Sequence, residues 1–291
     1  MYENSFTRAN PGLVIFMIDQ SASMSQIGYE GRPLAETAAD IMNSMIDELT
    51  LKFMLGERVR ECAHVVIIGY GGTKDSMEAE LLCSGSIAQL FAEDTIPVKR
   101  FVVMIPDGTG GTIPVNYEIK QYVTPTSVGV GQMSNAFQLA SSLVKEWLTR
   151  AKETYSITRD DSRDPIPLII NISDGDLVDC EADVLKYANE IMDITIPDGN
   201  LLIANILMPA YKSGSILLPT VDELDELDDL QVQKIIKDAS SNLPNELVCI
   251  FNANGFEAAS KESKLVLVNP SNKDARNLVL SLITRWLAFR P

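Results

Sequence analysis

Residues 13–23 read LVIFMIDQSAS. The apolar run Leu13 to Ile18 has the length of one strand, is preceded by Pro11-Gly12 and is closed by Asp19. Continuous rather than alternating hydrophobicity means a strand covered on both faces. Directly after it comes a polar loop, Asp19-Gln20-Ser21-Ala22-Ser23. A buried strand that ends in oxygen-bearing side chains places chemistry at a sheet edge.

The same pattern recurs along the chain. Leu34 to Leu55 has apolar residues at spacings of three and four (Leu34, Ala38, Ile41, Met42, Met45, Ile46, Leu49) and reads as an amphipathic helix. Cys62 to Tyr70 reads as a second core strand, Met133 to Lys152 as a helix, and Pro167 to Ile172 as a third strand closed by Ser173-Asp174-Gly175. Asp183 to Ile194 suits a helix with Asp183 as N-cap, and Leu201 to Met208 a fourth strand. An acidic cluster, Val221–Leu230, leads into a helical segment, QVQKIIKDAS. Asn245 to Asn254 fits strand or helix, and the position behind Pro244 favours helix. Lys264 to Val268 is the last strand and Asp274 to Phe289 the closing helix. Strict alternation predicts an α/β fold, Rossmann-like and doubly wound, with a mainly parallel sheet and helices on both faces. The chain reads as a single domain, 1–291, with an inserted irregular or β subregion at about 73–127. There Glu80–Cys83 and Phe101–Ile105 look like strands, PDGTGGT (106–112) is turn chemistry and Tyr117–Val123 is a hairpin partner.

Composition narrows the function. Acidic residues outnumber basic ones 40 to 24, a net charge of −16, which opposes gripping nucleic acid or an anionic membrane. No apolar run is long enough to cross a bilayer, and the polar start is not a signal peptide. Cys62, Cys83, Cys180 and Cys249 are far apart, which disfavours a thiolate metal site and fits a reducing compartment, so a cytoplasmic protein is expected. The single histidine, His64, reads as a strand-end residue, which removes Ser-His-Asp triads and multi-histidine sites. Trp147, Trp286 and the methionines read as core.

A doubly wound sheet binds ligands at the carboxyl ends of its strands. The ends to search are 19–31, 71–75, 128–133, 174–180 and 209–220. Two of them carry oxygen donors: Asp19, Ser21 and Ser23 after the first strand, and Asp174 after the third. Two carboxylates and two hydroxyls suit Mg²⁺ or Mn²⁺ rather than a softer ion. Ser21 and Ser23 are expected to coordinate directly, and Asp19 and Asp174 directly or through water. The competing reading makes these residues turn and helix caps.

IFMIDQSASM resembles the metal-ion-dependent adhesion site of von Willebrand factor type A (vWA) domains, with its DxSxS present as Asp19, Ser21 and Ser23. IINISDGD is similar to the later family segment whose aspartate is Asp174. The resemblance covers most of the chain. It looks closest to intracellular bacterial members, in ADIMNSMIDEL, GERVRECAHVVIIGYGG and SSNLP. It implies a protein-binding module whose metal accepts an Asp or Glu from a partner. Members of that kind are often encoded beside Ser/Thr kinases and 2C-type protein phosphatases, in stress or phage-defence modules. The chain departs from the family at its third ligand loop, GGTPM. Gly129-Val130-Gly131-Gln132-Met133 stands there, so Gly131 replaces the coordinating threonine and the ion is expected to bind more weakly. Thr126, Ser127, Ser134 or a water are the substitutes. Thr112 copies the motif without a following helix.

GVGQMS lacks the third glycine of a dinucleotide loop, and GYGGTK lacks P-loop spacing. The acidic stretch 222–229 reads as a solvated helix start, with docking of a basic partner as the alternative. A metal-dependent phosphoester hydrolase is the alternative function. It is disfavoured because no general base stands apart from the metal carboxylates, although Arg32 and Lys74 lie on suitable loops.

Overall fold

β1 (Gly12–Asp19) is buried at every position, and its side chains alternate between two apolar layers. Val14, Phe16 and Ile18 point into one, Leu13, Ile15 and Met17 into the other. With a period of two, only a strand with helices on both faces can bury such a run completely. The computed structural model describes residues 2–108, 110–154, 161–176, 178–210, 214–226 and 235–284.

After β1 come a 3-10 turn (Ala22–Ser25), α1 (Leu34–Phe53), a short hairpin of β2 (Met54–Leu55) and β3 (Arg58–Val59), then β4 (Ala63–Tyr70). β5 (Ala79–Ser86), α2 (Ile87–Ala92), β6 (Val98–Pro106) and β7 (Thr112–Lys120) follow. The second half holds α3 (Met133–Thr154), β8 (Leu168–Ser173), α4 (Glu181–Met192) and a short hairpin of β9 (Thr195–Ile196) and β10 (Gly199–Asn200). It ends with β11 (Leu202–Leu207), β12 (Ile216–Leu217), α5 (Val221–Asp225), α6 (Asn245–Ala253), β13 (Val266–Val268) and α7 (Asn272–Ile283).

One seven-stranded sheet has the order β12-β13-β11-β8-β1-β4-β5. Its inner strands are parallel, and the outer two, β12 and β5, are antiparallel. This is the expected α/β class. Ala38, Ile41 and Met45 of α1, with Leu278 and Val279 of α7, cover one face. Phe137, Ala140 and Val144 of α3, with Val184, Ala188 and Ile191 of α4, cover the other. From β1 the chain crosses to β4 on one side and later returns to β8 on the other, so the loops after β1 and β8 diverge there. That divergence is the crevice where such sheets take ligands.

Within 73–127, residues 79–86 pair along β4 as the sheet's edge strand, while β6 and β7 form a separate two-stranded ribbon. The ribbon's base is fastened to the helical layer. Lys99 Nζ lies 2.8 Å from Asp40, the Tyr117 hydroxyl donates to Asp47, and Arg276 of α7 reaches Asp47 at 3.2 Å and the Tyr117 hydroxyl at 3.1 Å. Past the ribbon, buried Asn43 of α1 clasps Val123: Nδ2 donates to the Val123 carbonyl at 2.8 Å and Oδ1 accepts its N–H at 3.0 Å.

Several boundaries differ from the sequence reading. The ribbon's second strand is Thr112–Lys120 rather than 117–123, because its register is set by the 106–112 turn and the Val123 backbone is taken by Asn43. The N-cap of α4 is Cys180, and Asp183 sits inside the first turn with Glu181, where acidic side chains are stabilised by the positive end of the helix dipole. α1 stops at Phe53 because Met54 turns into β2. The last strand starts at Val266. His64 lies in β4, its Nε2 at 3.1 Å from Ser84 Oγ and its ring against Trp147, as a structural residue. Residues 227–229 of the acidic stretch, 231–234, Trp286 and Phe289 lie outside the described residues.

Replacing Asn43 by alanine leaves a buried backbone N–H and carbonyl without partners. We expect a loss of about 2–4 kcal/mol in unfolding free energy. A shift of the urea midpoint at unchanged slope measures it.

Candidate metal centre

Asp19 ends β1 and Asp174 follows β8, the strand hydrogen-bonded beside it, so two carboxylates lie side by side at the crevice. Both are buried, at 3% and 8% exposure. Asp19 Oδ1 accepts the Ser21 N–H at 2.8 Å, which bends the chain sharply after the strand. Ser21 is the N-cap of the 3-10 turn, yet its hydroxyl makes no capping bond; it stands 2.9 Å from the Ser23 hydroxyl. Asp174 caps no helix either. Its Oδ1 accepts the Asp176 N–H at 2.9 Å, and its Oδ2 is buried without a hydrogen-bond partner. The capping explanation therefore fails for Ser21 and for Asp174.

The electrostatics follow from that burial. Desolvation first, and the charge of Asp174 second, push the Asp19 carboxyl up to about 7, against the hydrogen bonds from Ser21. Burial also raises Asp174, opposed by the Ser23 hydroxyl and backbone N–H groups. Asp176, exposed in the same loop, adds charge of the same sign to both. Among the described residues no lysine or arginine pairs with Asp19 or Asp174. Arg32, on the first loop, is engaged by Asp40 at 2.7 Å and Glu36 at 3.4 Å. Lys74 is exposed on the 71–75 loop.

The third loop is bolted to the first by its backbone. Val128 N–H donates to Gln20 O at 2.9 Å, Ala22 N–H to Gly129 O at 2.8 Å, and Gly129 N–H to Gly71 O at 2.8 Å. Such close approach leaves no room for side chains: a β-carbon on Gly129 would run into the Thr73 carbonyl. Gly131 therefore sits at the centre itself. A β-carbon built on it would lie 3.0 Å from Asp19 Oδ1, 3.0 Å from Ser21 Cβ and 3.4 Å from Ser21 Oγ. No hydroxyl comes from this position. Of the expected substitutes, Thr126 donates its hydroxyl to the Thr124 carbonyl at 3.2 Å, and the Ser134 N–H is held by Asp179 at 2.6 Å. Thr112 lies on the distant ribbon.

Among the described residues no group of three or more His, Cys, Asp and Glu side chains is placed to hold a metal. The donor set is instead two carboxylates and two hydroxyls. An unpartnered buried carboxylate oxygen, a second carboxylate raised by burial and then by its neighbour, and two hydroxyls not committed to capping fit a hard divalent cation. The sequence reading passed over two residues of this region. Asp179 ties the 174–180 loop to the start of α3. The Gln20 side chain lies against Gly69 and Gly72, where a β-carbon at either position would meet its Oε1. Neither has a sequence signal beyond lying on a strand-end loop.

Two outcomes are expected. A carboxyl whose folded value is raised stabilises the fold fully below its unfolded value near 3.8, and that contribution disappears as pH rises to about 7. In EDTA, Asp19→Asn should thus melt above wild type at pH 8, by several degrees, and level with it near pH 4; Mg²⁺ should reverse the order at pH 8. Thermal scans at both pH values check this. Gly131→Thr meets no left-handed backbone strain but must displace Asp19 and Ser21 slightly, at about 1 kcal/mol. It should lower the melting temperature without metal and tighten Mg²⁺ or Mn²⁺ binding by calorimetry.

No protein-family model matches the chain, and no curated protein matches it. Among solved structures it is similar to the pilus adhesin SpaC of Lactobacillus rhamnosus GG, with a TM-score of 0.52 and 10% identity over 96% of this chain and 31% of the adhesin. It also matches the manganese-loaded TRAP protein of Plasmodium vivax at 0.44, with 14% identity over 95% of this chain and 74% of that one. The VWA domain of SpRpn10 matches at 0.40, with 13% identity over 79% and 83%. At these identities the likeness is one of fold. The chain has an α/β architecture, a mostly parallel central sheet flanked by helices, and its likeness to the SpaC structure is one of that fold.

Proposed function

We propose that this chain is a protein-binding module that holds a partner through a Mg²⁺ or Mn²⁺ ion carried by Asp19, Ser21, Ser23 and Asp174. The observation that carries the reading is the buried Asp174 Oδ2 with no protein partner, beside a second buried carboxylate and the two hydroxyls. When bound, such an ion supplies a positive, oxygen-seeking contact for an incoming Asp or Glu side chain. Ser21 and Ser23 offer neutral oxygens, which leave more of the ion's charge for the partner than carboxylates would. The backbone bonds of 20–22, 71 and 128–129 hold those oxygens in place before any partner arrives. Among the described residues, the fully buried acidic groups at this crevice are the carboxylates that would hold the ion, Asp179 is engaged by the Ser134 N–H, and Arg32 is committed to Asp40 and Glu36. This favours association over phosphoester hydrolysis.

The acidic chain selects its partner's chemistry. At −16 it repels a uniformly acidic protein, so the partner's carboxylate must be ringed by basic residues. The family resemblance adds a Ser/Thr kinase or a 2C-type phosphatase of a bacterial stress or phage-defence module as the partner, and a cytoplasmic setting. No helix among the described residues is long and apolar enough to cross a membrane.

The proposal is tested by capturing the partner with wild-type protein and then measuring the pair. EDTA, Asp19→Ala and Ser21→Ala should each weaken the complex, and rising salt should slow association. Binding that ignores all three, in variants whose melting curves show a folded protein, would exclude the metal from recognition. Phosphoester turnover abolished by Asp19→Ala would replace the module with the hydrolase.

A further inference from the structure

Among the described residues, the bonds that tie the β6–β7 ribbon to the helical layer lie at its base, and its outer half is apolar and exposed. Val102 is 66% exposed, Met104 55%, Ile113 47% and Ile105 40%. An isolated two-stranded ribbon of this kind is marginal in water, and an uncovered apolar edge is a template for strand addition. Which edge is open follows from the hydrogen bonds at its two ends. Gln121 N–H donates to Pro97 O at 2.7 Å and Asp107 N–H to Gly111 O at 3.0 Å. Bonded pairs alternate, so the odd-numbered residues of β6 turn their backbone groups toward β7, and Arg100, Val102 and Met104 turn theirs outward. On β7 the outward residues include Pro114, opposite Met104, which has no N–H to give. The β7 edge is thus blunted, and β7 is also the strand that lies on α1. On the β6 edge Val102 and Met104 offer both backbone groups outward, Arg100 flanks them on one side, and Pro106, which has no N–H, stands only at the strand's last position.

We propose that a second copy of this chain covers that edge, its β6 pairing antiparallel with β6 about a two-fold axis at residue 103. In that register Val102 faces Met104 of the second copy, Phe101 faces Ile105, and Lys99 faces Asp107. From Phe101 to Ile105 every apolar residue meets an apolar one, Arg100 faces Pro106, and the charged pair Lys99–Asp107 is of opposite sign. Moving the axis to residue 102 instead sets Lys99 against Ile105 and Arg100 against Met104. Lys99 already touches Asp40, and its ammonium keeps further donors for a second carboxylate. The strands themselves carry Lys99, Arg100 and Lys120 against Glu118, so two copies with a net charge of −16 approach here with little repulsion. The result is a four-stranded sheet spanning the dimer, with isologous contacts.

Sedimentation of the full chain over a range of concentrations tests this. Wild type should move from monomer to dimer as concentration rises. Val102→Lys with Met104→Lys, both outside the core, should stay monomeric with an unchanged melting temperature, and Asp107→Lys should weaken dimerisation several-fold. Val103→Cys, with Cys180 and Cys249 changed to serine, should form an intermolecular disulfide on mild oxidation, while Val102→Cys in the same background should not. This pair of variants reads the register even if the double lysine variant fails to fold. Wild type that remains monomeric throughout, or a dimer indifferent to the lysine substitutions, overturns the proposal. EDTA and Asp19→Asn should leave the dimer intact, so its fate is separate from that of the metal-dependent reading.

Discussion

Two carboxylates buried side by side at the ends of neighbouring strands set the terms for this molecule. A shift of the Asp19 carboxyl from 3.8 to about 7 corresponds to a cost on the order of 4 kcal/mol for keeping it ionised at neutral pH. That is a sizeable part of the stability of an ordinary domain. The cost could be removed by an amide at position 19, or by letting the loop relax into solvent. Neither has happened: Asp19 is held by β1 on one side and by the Ser21 N–H on the other. On the proposed reading a cation supplies the missing term, because it binds the folded arrangement and offsets the repulsion.

The loops can sustain that repulsion because they are fixed by backbone bonds. Gln20, Ala22, Gly71, Val128 and Gly129 extend the hydrogen-bonding of the sheet beyond its strands. Glycine is needed where those backbones touch, as at Gly71 with φ +76° and at Gly129. Gly131 belongs to the same packing. Its lack of a side chain removes an oxygen from the centre, and it also lets the third loop approach Asp19 and Ser21 more closely than a threonine would.

The sequence carried the fold because burial on both faces leaves a continuous apolar run, and four of the core strands have one. Asp19, Ser21, Ser23 and Asp174 were singled out for the same reason, each standing at or just past the end of such a run, and as the proposed site they share one crevice. The β6–β7 ribbon was visible as turn chemistry between β-prone segments. The fastening at its base, through Asp47, Tyr117 and Arg276, spans sequence separations that no periodicity encodes. The role of β5 as the sheet's edge was hidden too, since its exposed residues Leu81 and Leu82 alternate poorly. Asp179 and Gln20 act through loop geometry, which emerges only when three loops meet.

A line of buried amides beneath the crevice connects fold to site. The Tyr70 hydroxyl donates to Asn171 Oδ1 at 3.0 Å, Asn171 Nδ2 to Asn205 Oδ1 at 3.0 Å, and Asn205 Nδ2 to Ser240 Oγ at 2.8 Å. Aliphatic side chains there would bury as much area without needing partners. Their bonds, however, could form equally well after a strand had slipped, whereas these amides match only when β4, β8 and β11 hold their observed register. A slip of one residue would turn every side chain of a strand to the opposite face. Asp174 stands one residue past the end of β8, and Asp19 at the end of β1, so strand register fixes where the two backbones place their carboxylates, and the Ser21 and Asp176 N–H groups orient them. A polar line that makes register unique is therefore what keeps the centre in one geometry, although none of its members reaches the crevice as a ligand.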